Sequence, residues 1–213
     1  MKKQLLALGL SVTLSAFIAT SSAHAAGFSD GGFDSTQVNG ALATYGNGSQ
    51  IGSWTVTGDS IDLIGNYWAS TSGQNSLDLS GGDAGGVTQT FSTIAGQAYK
   101  VSFDMSGNFD SSASQRSLSA SAGDFSKTFS FSKPTDWSHE SMNWQTNDFT
   151  FVADKTGSTT LSFASLDNGA YGPTLDSVSV NAVPTPAPAP EPSSLILGLM
   201  SLGGIFGFKR KQK

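Results

Sequence analysis

Aromatic and acidic residues that could bind a sugar stand close together in the first half of the chain. Asn66, Tyr67 and Trp68 follow an apolar run that contains Asp62. A flat aromatic ring stacks on the apolar face of a pyranose, and neighbouring carboxylates or amides hydrogen-bond the hydroxyl groups. We therefore predict a carbohydrate-binding face that includes Asp62, Tyr67 and Trp68.

Four other aromatic residues belong either to such a binding face or to the packed parts of the protein. Trp137, Trp144 and Tyr171 lie in turn-rich segments, where they either join the binding face or pack within loops. Trp54 lies inside an apolar strand pattern, which favours a place in the core. Clustering of the exposed rings on one face is what would favour a binding site over ordinary packing.

Candidates for catalytic residues are few. The chain has no cysteine and no His-Glu-x-x-His motif. Asp62 and Asp78 could imitate the carboxylate pair of a glycoside hydrolase, but acidic residues spread this evenly are typical of surface charge. His139 beside Glu140 indicates a solvated loop residue. We predict a protein that is not an enzyme, with glycoside hydrolysis as the alternative.

Both ends of the chain carry patterns of export signals. Lys2 and Lys3 precede an apolar stretch over residues 5–19, and Ala23 and Ala25 supply the small residues of a signal peptidase site. We expect a signal peptide over residues 1–25. At the other end, Pro190-Glu191-Pro192 precedes an apolar run over 195–208 and the basic cluster Lys209-Arg210-Lys211.

This C-terminal order resembles the PEP-CTERM sorting signal of Gram-negative bacteria. The resemblance implies recognition by an exosortase, transient contact with the inner membrane, cleavage near the tripeptide and delivery to the cell envelope or extracellular matrix. The apolar run of about 14 residues is shorter than the roughly 20 that a spanning helix needs, which favours a sorting helix over a permanent anchor. An amphipathic or buried C-terminal helix is the alternative.

Charge and composition narrow the possible partners of the central region. Residues 26–183 contain fifteen acidic and five basic residues, a net charge of −10. This balance argues against nucleic acid as a partner. Without cysteine there are no disulfides, so a hydrophobic core must stabilise a single domain of this length.

Apolar and polar residues alternate with a period of two along this central region, as in half-buried β-strands. Gly-rich and Asp/Asn-rich turns separate the runs, and no helical pattern is evident there. We predict an all-β fold, an antiparallel β-sandwich or jelly roll over residues 26–183, followed by a Pro-rich spacer over 184–192 and the sorting helix over 193–213. The runs are 60–64, 76–79, 87–91, 99–103, 127–131, 148–152, 160–163 and 175–180.

The order of short motifs resembles the choice-of-anchor C family. The matching segments include Gly31-Gly32-Phe33-Asp34, Gly52-Ser53-Trp54, Met105-Ser106-Gly107-Asn108 and Gly172-Pro173-Thr174-Leu175-Asp176. The resemblance implies a galactose-binding-like jelly roll, similar to plant cell-wall proteins and more distantly to carbohydrate-binding modules. In those modules two acidic residues on the first and last strands bind a structural calcium, and Asp34 and Asp176 occupy the matching places. Local hydrogen bonds at the strand ends are the alternative role for both.

Together these features predict an exported cell-surface or matrix protein whose sandwich binds extracellular polysaccharide non-covalently. The expected processing partners are signal peptidase and exosortase. A structural component of a biofilm or sheath, without a discrete ligand, is the alternative from another class.

Overall fold

A computed structural model describes residues 23–184, which form twelve β-strands and no α-helix. The all-β prediction is confirmed. In chain order the strands are β1 (Leu42–Gly46), β2 (Gln50–Ile51), β3 (Trp54–Gly58), β4 (Ser60–Ile64), β5 (Ser76–Asp78), β6 (Gly85–Thr93), β7 (Ala98–Gly107), β8 (Gln115–Ala122), β9 (Phe125–Ser132), β10 (Gln145–Val152), β11 (Gly157–Ser165) and β12 (Pro173–Ala182).

The strands form two six-stranded antiparallel sheets that pack as a sandwich. The first sheet has the order β1-β4-β5-β12-β7-β10, and the second has the order β2-β3-β6-β11-β8-β9. Neighbours in each sheet are mostly distant in sequence, as jelly-roll connections require. The predicted jelly-roll sandwich is therefore confirmed. Every predicted run overlaps a strand, and the run 60–64 coincides with β4.

The main core lies between the sheets because alternate apolar residues of each strand face inward. Phe103 of β7 and Phe163 of β11 meet there with ring centroids 4.9 Å apart. Trp54 is completely buried in this core, as its strand pattern predicts, and its Nε1–H donates to the carbonyl of Asp30 at 2.8 Å. That hydrogen bond satisfies the polar atom that burial of an indole would otherwise leave without a partner.

A second, smaller apolar cluster covers the outer face of the first sheet. Ile64 lies on the face of β4 opposite Leu63, and it packs with the buried Trp68 and Met142. Half-buried rings pack against these three residues from the loops after β4, β7 and β9; they are Tyr67, Phe109 and Trp144. Consequently β4 and β5 are largely buried on both faces. On the outer face, the polar side chains of Ser76 and Asp78 are enclosed, whereas Asp62 is half-buried.

One well-formed strand has little sequence signal. In β8, inward-facing Leu118, Ala120 and Ala122 alternate mostly with serine, and this small contrast in hydropathy is too weak to predict a strand. Residues 23–184 contain no helical segment with the length and apolarity that a membrane crossing requires. The signal-peptide stretch before residue 23 and the predicted sorting residues after 184 lie outside the described part of the chain.

Candidate functional site

A groove of about 350 Å³ opens on the outer face of the first sheet, beside the smaller apolar cluster. Five separate segments of the chain meet there: β1, β4 with its following loop, the loop after β5, the loop after β7, and the loop before β12. We call it the tyrosine groove, defined by its polar and aromatic lining residues Asp62, Tyr67, Asn108, Asp110 and Tyr171.

The three residues predicted for the binding face all line this groove, but Trp68 has a different role from the one expected. Only 4% of Trp68 is exposed, and its Nε1–H donates to Ser76 Oγ at 2.9 Å. A ring enclosed in this way offers no face for a sugar to stack on. Trp68 is therefore corrected from an exposed platform to the floor of the groove, while sugar contacts of Asp62 and Tyr67 stay predictions.

Tyr67 is held in place by a polar and aromatic network on one wall. Its hydroxyl donates to Asp110 Oδ2 at 2.7 Å, and this hydrogen bond raises the pKa of Tyr67 above its ordinary value. The ring of His139 packs 4.7 Å from that of Tyr67, and His139 Nε2 lies 3.5 Å from Asp110 Oδ1. The predicted solvated loop position of His139 is corrected, because the residue is half-buried between Tyr67 and Phe109.

Tyr171 is the exposed aromatic residue of the groove. It is 51% exposed and has a φ of 68°, a left-handed conformation that is strained for a bulky side chain. The following residue fixes it in place, since Gly172 N–H donates to Asp78 Oδ1 at 3.0 Å and the Gly172 carbonyl accepts from Asn108 N–H at 2.9 Å. Strain maintained by surrounding hydrogen bonds is typical of functional positions.

The buried carboxylate of Asp78 ties the walls of the groove together. Its Oδ1 accepts from the N–H groups of Ser80 and Gly172, and its Oδ2 accepts from Asn108 Nδ2 at 2.6 Å. Burial raises the pKa of Asp78 to about 7, even though these three donors favour the ionised form. One side chain of β5 thus positions both the loop after β7 and the loop that carries Tyr171.

The structure places Asp62 and Asp78, the carboxylates of the hydrolase alternative, directly opposite each other on β4 and β5. Asp62 is half-buried and accepts from Thr44 Oγ1, whereas Asp78 has no exposed surface. A general acid must reach the glycosidic oxygen of its substrate. Asp78 therefore positions other residues and is not open to a sugar in the groove.

A Gly-x-Ser-x-Gly spacing, which sequence inspection passed over, occurs at Gly27-Phe28-Ser29-Asp30-Gly31. In hydrolases this spacing places a nucleophile at a sharp turn between a strand and a helix, with a histidine beside it. Here the segment precedes β1 and leads into no helix, and the hydroxyl of Ser29 pairs with that of Ser53 at 2.8 Å. The spacing therefore lacks the structural context of a nucleophile elbow.

Asp34 and Asp176, the predicted calcium ligands, both hold the loop between β4 and β5. Asp34 Oδ1 accepts from the N–H groups of Gln74 and Asn75, at 2.9 and 3.0 Å. Asp176 Oδ2 accepts from the N–H groups of Thr71 and Ser72, and burial raises the pKa of Asp176. Donors that point at the carboxylates do not fit a cation, which needs six to eight oxygen ligands.

Calcium binding by this pair rests on the family resemblance alone, and no group of three or more possible metal-binding side chains occurs within residues 23–184. From the hydrogen bonds we expect a chelator to leave the melting temperature unchanged and calcium to give no heat in isothermal titration. Asp34→Asn and Asp176→Asn should each lower the melting temperature. For each variant the decrease should be the same in the presence and in the absence of calcium. Saturable calcium binding that either substitution abolishes would establish the metal site instead.

The remaining predicted residues have packing or pairing roles. Trp137 packs half-buried against Phe109 and Phe131, and Trp144 Nε1–H donates to the carbonyl of Ala69. Around the expected signal-peptide cleavage site, Ala23 and Ala25 hydrogen-bond the backbone of β12, with Ala25 buried. Cleavage after Ala25 and the roles of the C-terminal sorting residues stay predictions.

Sequence reasoning did not single out Asn108 and Asp110 and did not separate Tyr171 from the other aromatic residues. The available signals were the Gly107-Asn108 turn and the Gly172-Pro173 pair that follows Tyr171. Neither signal indicates that these residues lie near Asp62. Their proximity to Asp62 depends on the pairing of β12 with β5 and β7.

Comparison with known proteins shows the family. The profile of a family described as a protein of unknown function (DUF642) matches residues 27–181. A curated relative, halomucin from Haloquadratum walsbyi, is 28% identical over 156 residues; these represent 72% of this chain and 2% of halomucin. The chain thus spans a very small part of the curated relative that it matches.

Solved structures resemble this chain at low sequence identity. A cyclase from Fischerella sp. TAU is similar with a TM-score of 0.52 and 15% identity, covering 78% of this chain and all of the cyclase chain. TmCBM61, solved in complex with β-1,4-galactotriose, has a TM-score of 0.48 and 15% identity, and the match covers 73% of this chain and 97% of that chain. At 15% identity the likeness to the cyclase describes the fold alone, and the activity of this chain has to be argued from its own residues.

Proposed function

We propose that this chain, which belongs to the DUF642 family, is an exported surface or matrix protein whose tyrosine groove binds polysaccharide without turning it over. The observation that carries this proposal is Tyr171, an exposed ring held in a strained conformation at the rim of a polar groove. Solvent exposure of a large ring has no benefit for folding, whereas a fixed, exposed ring is what a sugar face requires.

The groove supplies hydrogen-bond acceptors beside this ring. Asp62 uses Oδ1 for Thr44, and its Oδ2 has no hydrogen-bond partner among the described residues. The exposed Asp110 presents its carboxylate on the wall formed with Tyr67. Carboxylates accept hydrogen bonds from sugar hydroxyls strongly, so Asp62 and Asp110 would orient a ring that stacks on Tyr171.

The placement of the acidic residues supports binding without turnover. The buried Asp78 is occupied by three donors, and Asp110 is engaged by Tyr67 and His139. Export and exosortase processing are supported by the order of the signals in residues 1–25 and 190–211. Delivery to the envelope or matrix would place the groove among extracellular polysaccharides.

Tyr171→Ala is the substitution that tests this function. We expect the purified full chain to bind a glycan class saturably on an array that includes the producing organism's own exopolysaccharide. Loss of the stacking ring should weaken that binding by at least about fivefold, since aromatic stacking on a nucleobase, taken as a guide for a sugar face, contributes on the order of 1–3 kcal/mol. The melting temperature should change little because the side chain is half exposed.

The matched control is Ile94→Ala, which removes a side chain that is 63% exposed. Ile94 precedes β7 while Asn108 follows it, so the whole length of that strand separates the control from the groove. Equal binding by wild type and Tyr171→Ala would contradict the proposed site. Silence of the wild type on every glycan would favour a structural matrix component.

A further inference from the structure

A second depression adjoins the tyrosine groove at Trp68. It has a volume of about 690 Å³, and Trp68 lines both depressions. The groove is lined by Ala41 and Ile64, and the second depression by the adjacent Gly40 and Gly65. The two therefore run along the same pair of chain segments, which are joined by the hydrogen bond from Gly65 N–H to the carbonyl of Ala41.

Three exposed side-chain amides line this second depression, which we call the amide cleft. Its exposed amides belong to Gln37, Asn66 and Gln74, and none of the three side chains hydrogen-bonds another residue of the described range 23–184. An amide both donates and accepts, so it can match either role of a sugar hydroxyl. No lysine or arginine lines the cleft, and the single charged lining residue is Asp34.

The frame of the amide cleft is fixed before any ligand arrives. The buried Asn75 donates through Nδ2 to the carbonyls of Phe33 and Thr36, both at 2.9 Å, and thereby joins the two loops that form the walls. A side chain at Gly65 would place its Cβ 2.7 Å from the carbonyl oxygen of Gly40, so glycine keeps these segments in close approach. A rigid frame with unpaired amides lowers the entropy cost of binding.

We infer that the amide cleft is a second subsite that binds further neutral, hydroxyl-rich units of the same polysaccharide chain whose first unit occupies the tyrosine groove. This inference rests on the proposed function of the groove. The amides select for hydroxyl groups, and the carboxylates of Asp34, Asp62 and Asp110 disfavour uronic acid or sulfated units. Affinity should therefore rise with the number of sugar units.

The test compares fragments of two and six sugar units, cut from the polysaccharide with the strongest array signal, by isothermal titration of the purified full chain. We expect the hexasaccharide to bind at least about tenfold more tightly than the disaccharide. The double variant Asn66→Ala with Gln74→Ala should lose most of that difference. It should keep the wild-type disaccharide affinity, since neither side chain lines the tyrosine groove.

The control double variant is Asn47→Ala with Gln115→Ala, which removes one exposed Asn and one exposed Gln outside the cleft. A second pair, Asn66→Asp with Gln74→Glu, keeps the side-chain size and should also weaken hexasaccharide binding. Equal affinities of the wild type for both fragments, or a length dependence that both cleft variants retain, would overturn the subsite. No glycan binding by the wild type would instead overturn the proposed function, and the subsite with it.

Discussion

Trp68→Ala is expected to lower the free energy of unfolding by about 3–5 kcal/mol. Trp68 is the largest member of the apolar cluster on the outer face of the first sheet, where it packs with Ile64 and Met142. Alanine would leave a cavity there and would also leave Ser76 Oγ without its indole donor. Because the ring is the floor of both depressions, glycan binding should be lost with it.

Urea denaturation followed by far-UV circular dichroism would measure this change. Trp68→Phe is the matched variant, since it keeps an aromatic ring and loses the Nε1–H donor to Ser76. We expect it to cost less than Trp68→Ala. If Trp68→Ala unfolded at the wild-type urea concentration and lost only glycan retention, Trp68 would be the stacking platform that its sequence context indicates, and its burial would have to be reconsidered.

Stability is expected to fall as the pH rises from about 4 to about 7, and Asp78 is the main cause. The pKa of this buried carboxyl is raised to about 7, so between these limits the folded protein holds a proton that the unfolded chain has released. Stability decreases with pH wherever the folded state binds more protons than the unfolded state. Above about pH 7 both states are ionised at Asp78, and its contribution no longer changes.

The measurement is the free energy of unfolding in urea at pH 4, 5.5, 7 and 8.5 for wild type and Asp78→Asn. The variant does not titrate at position 78 and should therefore lose most of the pH dependence. Asp176 has a pKa raised in the same direction, so part of the slope should remain. Asp124→Asn, in the exposed turn between β8 and β9, is the control and should keep the wild-type slope. An identical slope in Asp78→Asn would show that other groups cause it.

The sequence predicted the fold better than the site because the two depend on different information. Strand patterns are local: the alternation at 60–64 reports inward-facing Ile61 and Leu63 directly. The pattern cannot show that loops also cover the outer face of β4, since that depends on contacts between Trp68 and the distant Met142. This is why Trp68 was predicted to be an exposed ring.

The residues of the site also depend partly on local sequence and partly on contacts between distant segments. Asp62, Tyr67 and Trp68 are close in sequence, and the structure does bring them into one groove. Tyr171 joins them through the position of β12 between β5 and β7, a choice of strand neighbours that no local pattern records. The ring that the proposed function depends on was therefore one of several aromatic candidates until the strand order was known.

The pairing of the first described residues with the last strand has a consequence for how this domain can be built into longer chains. Ala25, which directly precedes the expected first residue of the processed chain, donates its N–H to the carbonyl of Val180. The chain therefore enters and leaves the domain at one end of β12, while Tyr171 precedes the other end. Ten residues of strand place about 33 Å between those ends. A domain whose entry and exit points are adjacent can be inserted into a long polypeptide. The groove would then lie at the end of the domain that is far from the flanking chain. Such an arrangement is compatible with a relative that is some fifty times longer than the matched segment, since that segment is 2% of its length.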